Sequence, residues 1–572
     1  MIPNRTQATP LTETEIIAHY RAGTLLRELL RPLDTSHQGE LQGQLVALHN
    51  AGHIDFLALV AGPEFENLDR QYFFNIQQIY AEVIPQLDAP PLTMLEIVER
   101  LVAHGGNDGF ATVPRGALCR WIAQVPARAR EIIGAAQSDL SIDRDVLRAA
   151  LVACEDLVLV KWFLAVTDGR RQGAIAALGG IKPLDDAAGE TAFTELVAIA
   201  AADPQEDMRL TAIHAAFNLL RHCEKQAPQW VPRLVAVVTA APSDTTRAAL
   251  LQGLWRQTEL FQREEATATL AVALTGELIS GRLSGTLGAT LYGLLGGIYH
   301  DLALDCLTEL LSAEGKSLPL ENFGSVEHRL ATLDRERLFA LAVRWFATGD
   351  FKLCEVLSKV LGPLHEVPPF DASLAGFGLT GGQMIVLCHK VVGYLLLSPL
   401  MASSFIVAAF RAGDTSVESD LTQLLLQGIL INFGDTVVAY LKGIAKTDTA
   451  YQAVRGALKL YRKYHKDLDT EAPIKELSPS SYQRGVARQR LYVENREIRK
   501  SAERQSIFAG SVRRSSILYG RKAITYVGGS DRPPVSMEMT TFRTHIEMPR
   551  LQVIDPVGLE LLMWVFRVSK PQ

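Results

Sequence analysis

The chain has 572 residues, of which 48% are hydrophobic and 21% charged, and its formal net charge is -6. This length exceeds a single hydrophobic core, and the apolar content excludes disorder over most of the chain. The acidic balance disfavours a protein that binds polyanions over its whole surface, so any nucleic-acid contact should be local.

The six cysteines occur singly and form no C-x-x-C pair; they are Cys119, Cys154, Cys223, Cys306, Cys354 and Cys388. This spacing disfavours a disulfide framework or a structural zinc site and fits a reducing compartment. The first ten residues are polar and show no signal-peptide pattern. We therefore expect a cytoplasmic protein without a bound metal.

Helix start signals occur along the body of the chain. Thr12 and Glu15 form a capping box, Asp203 precedes Pro204 as an N-cap precedes N1, and Ser243 opens a further helix. Apolar residues at helical spacing follow each signal. After residue 330 the same pattern predicts helices over 333–347, 351–361, 383–396, 400–411, 418–431, 434–444 and 447–465.

Short Gly-Asp steps separate several of these helices, at 349–350, 413–414 and 434–435. Glycine suits the left-handed position after a helix, and aspartate suits the cap of the next one.

One uncharged stretch, residues 391–410, is long enough to span a bilayer. Pro399 interrupts it, because proline lacks a backbone donor and disfavours helix at the preceding Ser398. We therefore predict two buried helices that meet at Pro399, and we expect no membrane partner.

Helix pairs with short links, repeated over hundreds of residues, are typical of an α-solenoid. Residues 338–361 resemble one tetratricopeptide-type unit through Leu341, Ala342, Trp345, Phe346, Gly349, Asp350, Phe351, Leu357 and Val360. Elsewhere the pairs are closer to the roughly 40 residues of HEAT or armadillo repeats. The chain thus resembles helical-repeat proteins in architecture over about 200–470, and an irregular all-α domain is the open alternative.

Two fragments resemble nucleotide-binding motifs but lack their context. Residues 313–317 end like a phosphate-binding loop, yet Leu310 occupies the position of its first glycine. Residues 376–381 have the G-x-G-x-x-G spacing, yet prolines precede them and no acidic residue follows before Asp414. We predict no cofactor, and the sequence favours a protein that is not an enzyme. An enzyme with a dispersed active site is the remaining catalytic hypothesis.

The chain changes character near residue 475. From Gln483 to Lys522 eleven Arg and Lys stand against three Glu, so this window carries +8 while the rest of the chain sums to -14. Cations recur there every four residues, which on a helix forms a slowly spiralling ridge around one tyrosine. The candidate binding residues are Arg484, Arg488, Tyr492, Arg496, Arg499, Lys500, Arg504, Arg513, Arg514, Arg521 and Lys522.

Four interpretations of this basic arm stay open. Its cations suit phosphates, with Tyr492 able to stack on a base. They equally suit an acidic protein partner or the acidic surface of the protein itself. The arm also fits a solvated helix with local ion pairs to Glu494, Glu497 and Glu503. Ala487, Leu491, Ile498 and Ala502 form a narrow apolar stripe that we expect to dock.

Beyond the arm, alternating residues predict strands over 523–527 and 535–548, and Asp555 with Pro556 caps a closing helix. A hairpin and an apolar helix at this place suit a cap or docking module of a solenoid.

The sequence thus predicts an all-α fold, an α-solenoid of helix pairs with a small C-terminal β-hairpin and closing helix. It has four segments: an N-terminal helical region (1–190), a helical-repeat region (191–475), a basic helical arm (476–522), and the hairpin with the terminal helix (523–572). The predicted function is a cytosolic scaffold or adaptor that binds protein partners. The alternative is a nucleic-acid-binding component of a multi-protein system, such as genome defence or repair, acting through the arm.

Overall fold

A computed structural model describes residues 11–570, except 31–34, 69, 106–111, 139–140, 276–280, 363–368, 471–479, 506–511, 518–521, 528–534 and 539–547. Helices dominate, which confirms the predicted all-α class. They are, in chain order, α1 (Glu13–Ala22), α2 (Leu25–Leu29), α3 (Thr35–Asn50), α4 (Pro63–Glu66), α5 (Arg70–Val83), α6 (Pro91–Gly105), α7 (Val113–Gln124), α8 (Pro126–Gln137), α9 (Arg144–Cys154), α10 (Leu157–Leu164), α11 (Arg170–Leu178), α12 (Asp186–Ala202), α13 (Glu206–Leu220), α14 (Ala227–Ala240), α15 (Asp244–Arg256), α16 (Arg263–Ala273), α17 (Gly281–Leu295), α18 (His300–Leu311), α19 (Val326–Ala331), α20 (Arg335–Thr348), α21 (Phe351–Leu361), α22 (Gly381–Tyr394), α23 (Pro399–Arg411), α24 (Glu418–Leu424), α25 (Gly434–Lys442), α26 (Tyr451–Thr470), α27 (Ser481–Gln505), α28 (Arg550–Ile554) and α29 (Pro556–Val568).

The chain forms two compact units. The N-terminal unit comprises residues 4–307 with 319–329, and the C-terminal unit comprises residues 308–318 with 330–572. Each has its own apolar core, with Trp121, Phe193 and Trp230 fully buried in the first and Trp345 and Phe405 in the second. The four-segment division predicted from the sequence remains a prediction.

Local capping chemistry begins many of these helices. The Thr12 hydroxyl and the Glu15 carboxylate form the predicted capping box of α1, and Ser243 caps α15 in the same way with Thr246. Asp350 accepts bonds from the first turn of α21, and Gly349 before it has a φ of 71°. These signals depend on neighbours in sequence alone, which is why they could be predicted.

One predicted helix start and one predicted connection are wrong. Helix α13 has Gln205 as its N-cap; the Asp203 carboxylate accepts from the Gln205 N–H at 3.0 Å, outside the helix, and pairs with Arg171, 2.6 Å away. Helix α25 begins at Gly434 itself, so Gly434 and Asp435 belong to its first turn rather than to a connection.

The apolar stretch around Pro399 is a helix pair, as predicted. Helix α22 ends at Tyr394 and α23 begins at Pro399, and every residue from Met401 to Phe410 is buried. Within the part of the chain that the structure describes, no helix has both the length and the apolar character needed to cross a membrane.

In the N-terminal unit, side chains repeatedly form hydrogen bonds with residues about 40 positions away, which is about the length of one helix pair. Gln172 Nε2 donates to Thr211 Oγ1 (2.9 Å), Gln257 Nε2 to the Phe217 carbonyl (3.0 Å) and Thr290 Oγ1 to the Leu251 carbonyl (3.2 Å); the partners are 39 or 40 residues apart. Gly253 allows one such approach, since a Cβ there would lie 2.3 Å from the Phe217 ring.

The C-terminal unit repeats this spacing. Trp345 Nε1 donates to Thr308 Oγ1 at 2.9 Å, 37 residues away. Arg411 joins three successive segments, because it donates to the Ala372 carbonyl at 3.0 Å and to the Asp448 carboxylate at 2.7 Å, 39 and 37 residues away. The charged hydrogen bonds from Arg411 also lower the pKa of Asp448.

Three short antiparallel strands follow α27: β1 (Val512–Ile517), β2 (Lys522–Val527) and β3 (Val535–Glu538), in the order β1-β2-β3. Lys522 is paired with Glu538 and Thr525 with Val535. Residues 539–547 of the second predicted strand lie outside the described residues. Strand β1 corrects the prediction for residues 512–517, which the sequence placed in the arm without a strand.

Candidate functional site

The basic arm begins as a helix, as its spacing predicted. Ser480 and Gln483 cap it reciprocally: the Gln483 amide accepts from the Ser480 N–H at 2.8 Å, and the Ser480 hydroxyl accepts from the Gln483 N–H at 3.2 Å. Helix α27, called the arm helix below, runs from Ser481 to Gln505.

The described ridge residues of the arm helix all face solvent. Arg484, Arg488 and Arg496 are exposed, and 70% of Tyr492 is accessible between them. Among residues whose side chains are described, no carboxylate forms an ion pair with these arginines. The arginines therefore present their charge to solvent rather than to described acidic groups of the protein.

The remaining predicted binding residues lie elsewhere. Arg499, Lys500 and Arg504 belong to the arm helix, and their side chains lie outside the described part. Arg513 and Arg514 belong to strand β1 and Lys522 begins β2, again without described side chains, and Arg521 lies outside the described residues. The structure thus brings together the first four predicted residues on one helix.

The one described side chain of the predicted apolar stripe, Leu491, is not buried. Leu491 is 42% exposed, and the side chains of Ala487, Ile498 and Ala502 lie outside the described part. No described residue of the arm helix is buried. Burial of an apolar face therefore does not fix the described part of this helix.

A second basic surface, absent from the sequence analysis, lies on the helix before the arm. Helix α26 has exposed cations on one side; they are Arg455, Lys459, Arg462, Lys463 and Lys466. At about 100° per residue they occupy roughly 100° of the circumference. The opposite side packs into the core through Ala453, Val454, Ala457 and Leu458. The spacing of these cations was visible in the sequence and is the signal that could have found them.

An open groove of about 580 Å³ runs beside α26. Lys459 and Lys463 line it from α26, and the hydroxyls of Thr415, Ser419 and Thr422 line it from the other side. Glu418 is the one carboxylate among its lining residues. The groove therefore combines two ammonium groups with hydroxyl donors.

The terminal helix α29 is fixed by an unusual polar anchor. The buried Lys390 ammonium of α22 donates to the Arg567 carbonyl, in the last turn of α29. Arg567 Nε donates to the Gly393 carbonyl at 2.7 Å, and Phe566 stacks on His389 with ring centroids 4.8 Å apart. A cation at a helix C-terminus meets the negative end of the helix dipole.

A further contact holds the segment before α29. The Asn432 carbonyl accepts from the Arg550 N–H and its side-chain oxygen from the Leu551 N–H, both at 3.1 Å. Asn432 and Lys390 precede their partners by more than a hundred residues, so the sequence held no local signal for either contact.

The sulfur groups of this region are unsuited to nucleophilic chemistry. Burial raises the pKa of both Cys354 and Cys388 to about 12, so their thiols stay protonated at neutral pH. Burial also lowers the pKa of the neighbouring His389. Within the described residues, no cluster of three His, Cys, Asp or Glu side chains is arranged to hold a metal ion.

The outer face of α29 is apolar and exposed. Its exposed side chains are Val557 (75%), Leu561 (60%), Trp564 (59%), Val565 (46%) and Val568 (47%). The inner face is buried through Leu559, Met563 and Phe566. Helix α29 is therefore apolar on two sides, and α22 covers only one of them.

The chain matches no protein-family model and, at a significant level, no curated protein.

Proposed function

We propose that this protein is a cytosolic helical-repeat scaffold or adaptor that binds a partner protein through helix α29. The hydrogen bonds between segments 37 to 40 residues apart support a repeated helix pair in each unit. That spacing is near the roughly 40 residues of HEAT or armadillo repeats. In this proposal the strands and α29 complete the C-terminal end of the repeats.

The exposed apolar face of α29 is the observation that carries the proposal. Val557, Leu561, Trp564 and Val568 are spaced by four, three and four residues, so they form one seam. With Val565 they expose on the order of 500 Å² of side chain, a size that often marks an interaction site on a protein surface. An amphipathic partner helix fits this seam, with Trp564 as its aromatic anchor.

Affinity purification from the native host, with nuclease treatment and mass spectrometry, tests this function. The wild-type chain should retain a partner that is lost from a double variant, Leu561→Glu with Trp564→Glu. Leu184→Glu is the matched control, because Leu184 is 96% exposed in the N-terminal unit. The same proteins recovered with the double variant as with the control would contradict the proposal.

Light scattering of the purified chain identifies the occupant. A monomer that gains mass only with the recovered partner supports an adaptor. A dimer that becomes monomeric in the double variant would assign the seam to a second copy of this chain instead.

The second candidate function is nucleic-acid binding through the arm helix, within a multi-protein system such as genome defence or repair. Three exposed arginines around the exposed Tyr492 favour it, because the cations suit phosphates and the ring suits a base.

A gel-shift titration at low salt tests this candidate. The wild type should bind DNA or RNA, and charge reversal at Arg488, Arg496 and Lys500 should abolish that binding. No binding by the wild type at low salt would exclude it.

A further inference from the structure

We propose that the exposed basic face of α26 is a separate binding site for the sugar-phosphate backbone of nucleic acid. The site comprises the five cations of α26 and the hydroxyl-lined groove beside them. It goes beyond the arm, because it requires no residue after Thr470, and it holds whether or not α29 binds a protein.

The charge of this face is available to a ligand. In the described part of the chain, no carboxylate forms an ion pair with Arg455, Lys459, Arg462, Lys463 or Lys466. Arg455 lies over the Tyr451 ring, with its guanidinium carbon 5.8 Å from the ring centroid. Asp467 and Asp469 follow in the last turn of the helix. The stretch from Arg455 to Lys466 therefore carries a single sign of charge.

The first half of α26 is held in a fixed position by the core. Val454 and Leu458 are buried on the opposite side of α26, and Arg411 anchors the preceding loop through Asp448. Cations on a helix whose other face is in the core need no ordering of backbone when they bind, which lowers the entropic cost of association.

The geometry suits a chain of phosphates. Arg455 and Lys466 are eleven residues apart, which is about 16 Å along the helix. That length corresponds to roughly five phosphates of one DNA strand, spaced about 3.4 Å along the duplex axis. Thr415, Ser419 and Thr422 add hydroxyl donors beside Lys459 and Lys463. Such donors contact phosphate oxygens without reading bases.

Two other polyanions fit less well. A lipid surface is favoured by apolar side chains that flank the cations and insert, whereas the buried residues Ala453, Val454, Ala457 and Leu458 of α26 lie on the side opposite the cations. An acidic peptide is favoured when carboxylates are absent from the site and apolar pockets separate the cations, whereas seven of the ten lining residues are polar in type and one of them is the carboxylate Glu418. The site should accordingly bind nucleic acid with little sequence preference.

Fluorescence anisotropy with a labelled 30-nucleotide single strand and its duplex, over a series of salt concentrations, tests the proposal. The α26 variant is Lys459→Gln, Arg462→Gln and Lys466→Gln. It should bind more weakly, and the slope of log affinity against log salt should fall in magnitude by about 2 for the single strand and nearly 3 for the duplex. Anionic vesicles are the parallel probe.

Two further triple variants are the controls. The first control removes three exposed lysines from the N-terminal unit, through Lys161→Gln, Lys182→Gln and Lys225→Gln. It should leave the affinity and the salt slope unchanged. The second control, Arg484→Gln with Arg488→Gln and Arg496→Gln, removes three exposed arginines of the arm helix and separates this site from the arm. An effect of the arm variant alone would overturn the present proposal and support the arm.

Glu418→Gln provides a test in the opposite direction and does not depend on the folding of the triple variant. Removing this carboxylate from the groove should tighten binding about twofold, an effect typical of one exposed charge pair. An unchanged salt slope in the α26 variant, unchanged affinity in Glu418→Gln, or binding to vesicles but not to oligonucleotides would each overturn the proposal.

Discussion

The arm helix and the terminal helix α29 both follow residue 475, and they are held in opposite ways. Helix α29 buries Leu559, Met563 and Phe566 and is anchored at its end by Lys390. In the described part of the arm helix no side chain is fully buried. The core fixes α29, whereas the described contacts of the arm helix are its own N-terminal cap and its exposed charged side chains.

This difference shows where each helix can act. A helix docked on one side offers a surface of fixed shape, which suits recognition of another shaped surface. A helix that displays charge to solvent offers attraction over a longer range, which salt weakens. Apolar contacts suit α29, and electrostatic contacts suit the arm helix.

The largest expected contrast is in stability. Phe566→Ala should reduce the free energy of unfolding by about 3–5 kcal/mol, because it removes a buried ring that stacks on His389. Val493→Ala in the arm helix, at a side chain that is 50% exposed, should change it by less than about 0.5 kcal/mol. Urea unfolding of both variants measures these changes. Equal losses of unfolding free energy in the two variants would contradict the proposed difference between the helices.

A second contrast concerns close packing of α29. A Cβ at Gly393 would lie 3.0 Å from Arg567 Cγ and 3.2 Å from Phe566 Cβ, so Gly393→Val should cost about 1–3 kcal/mol. It should also speed amide hydrogen exchange in α29. Gly382→Ala is the control in the same helix, since no heavy atom lies within 4 Å of its Cβ. Unchanged exchange in Gly393→Val would mean that α29 is not closely docked.

A smaller effect should appear with pH. Burial lowers the pKa of His389 from its ordinary 6.5, so in the folded protein this imidazole takes up its proton at a lower pH than in the unfolded chain. Its contribution to stability is present above pH 6.5 and is lost as the pH falls toward the lowered pKa. The free energy of unfolding should therefore fall more between pH 7.5 and pH 5 in the wild type than in His389→Gln. An equal fall in both proteins would contradict this.

The smallest expected effect is in the arm helix. No heavy atom lies within 4 Å of a Cβ placed at Gly485, so Gly485→Ala should stabilise this helix by about 0.5–1 kcal/mol. The global unfolding midpoint should stay unchanged, because the described arm helix buries nothing. Hydrogen exchange over residues 481–500 measures the local gain, and a rise in the global midpoint would show that the arm helix unfolds with the core.

Local chemistry made much of the fold predictable. The Thr12 and Ser243 caps, the step at Gly349 and the break at Pro399 depend on a few neighbouring residues, and all four were predicted correctly. The predicted cap at Asp203 is wrong: its carboxylate accepts from Gln205 outside the helix and pairs with Arg171, 32 residues earlier. Sequence neighbours contain no information about such a partner.

The candidate surfaces were predictable to different degrees. Four-residue spacing placed Arg484, Arg488 and Arg496 on one exposed helix. The same kind of spacing on α26 is less evident in the sequence, because its cations are interleaved with apolar residues and the local charge is lower. The anchor of α29 on Lys390 and Asn432 was beyond prediction, because it depends on how distant helices pack.

The contacts at Asn432 and Lys390 have a consequence for how this protein can vary. They fix the chain again at residues 550–567, while buried residues of α26 fix it before Thr470. The segment between Thr470 and Arg550 is therefore held at both of its ends. Lengthening such a closed segment costs little, about 0.6 kcal/mol for each doubling of its length. This segment can thus vary in length and sequence while the core of the C-terminal unit keeps its sequence.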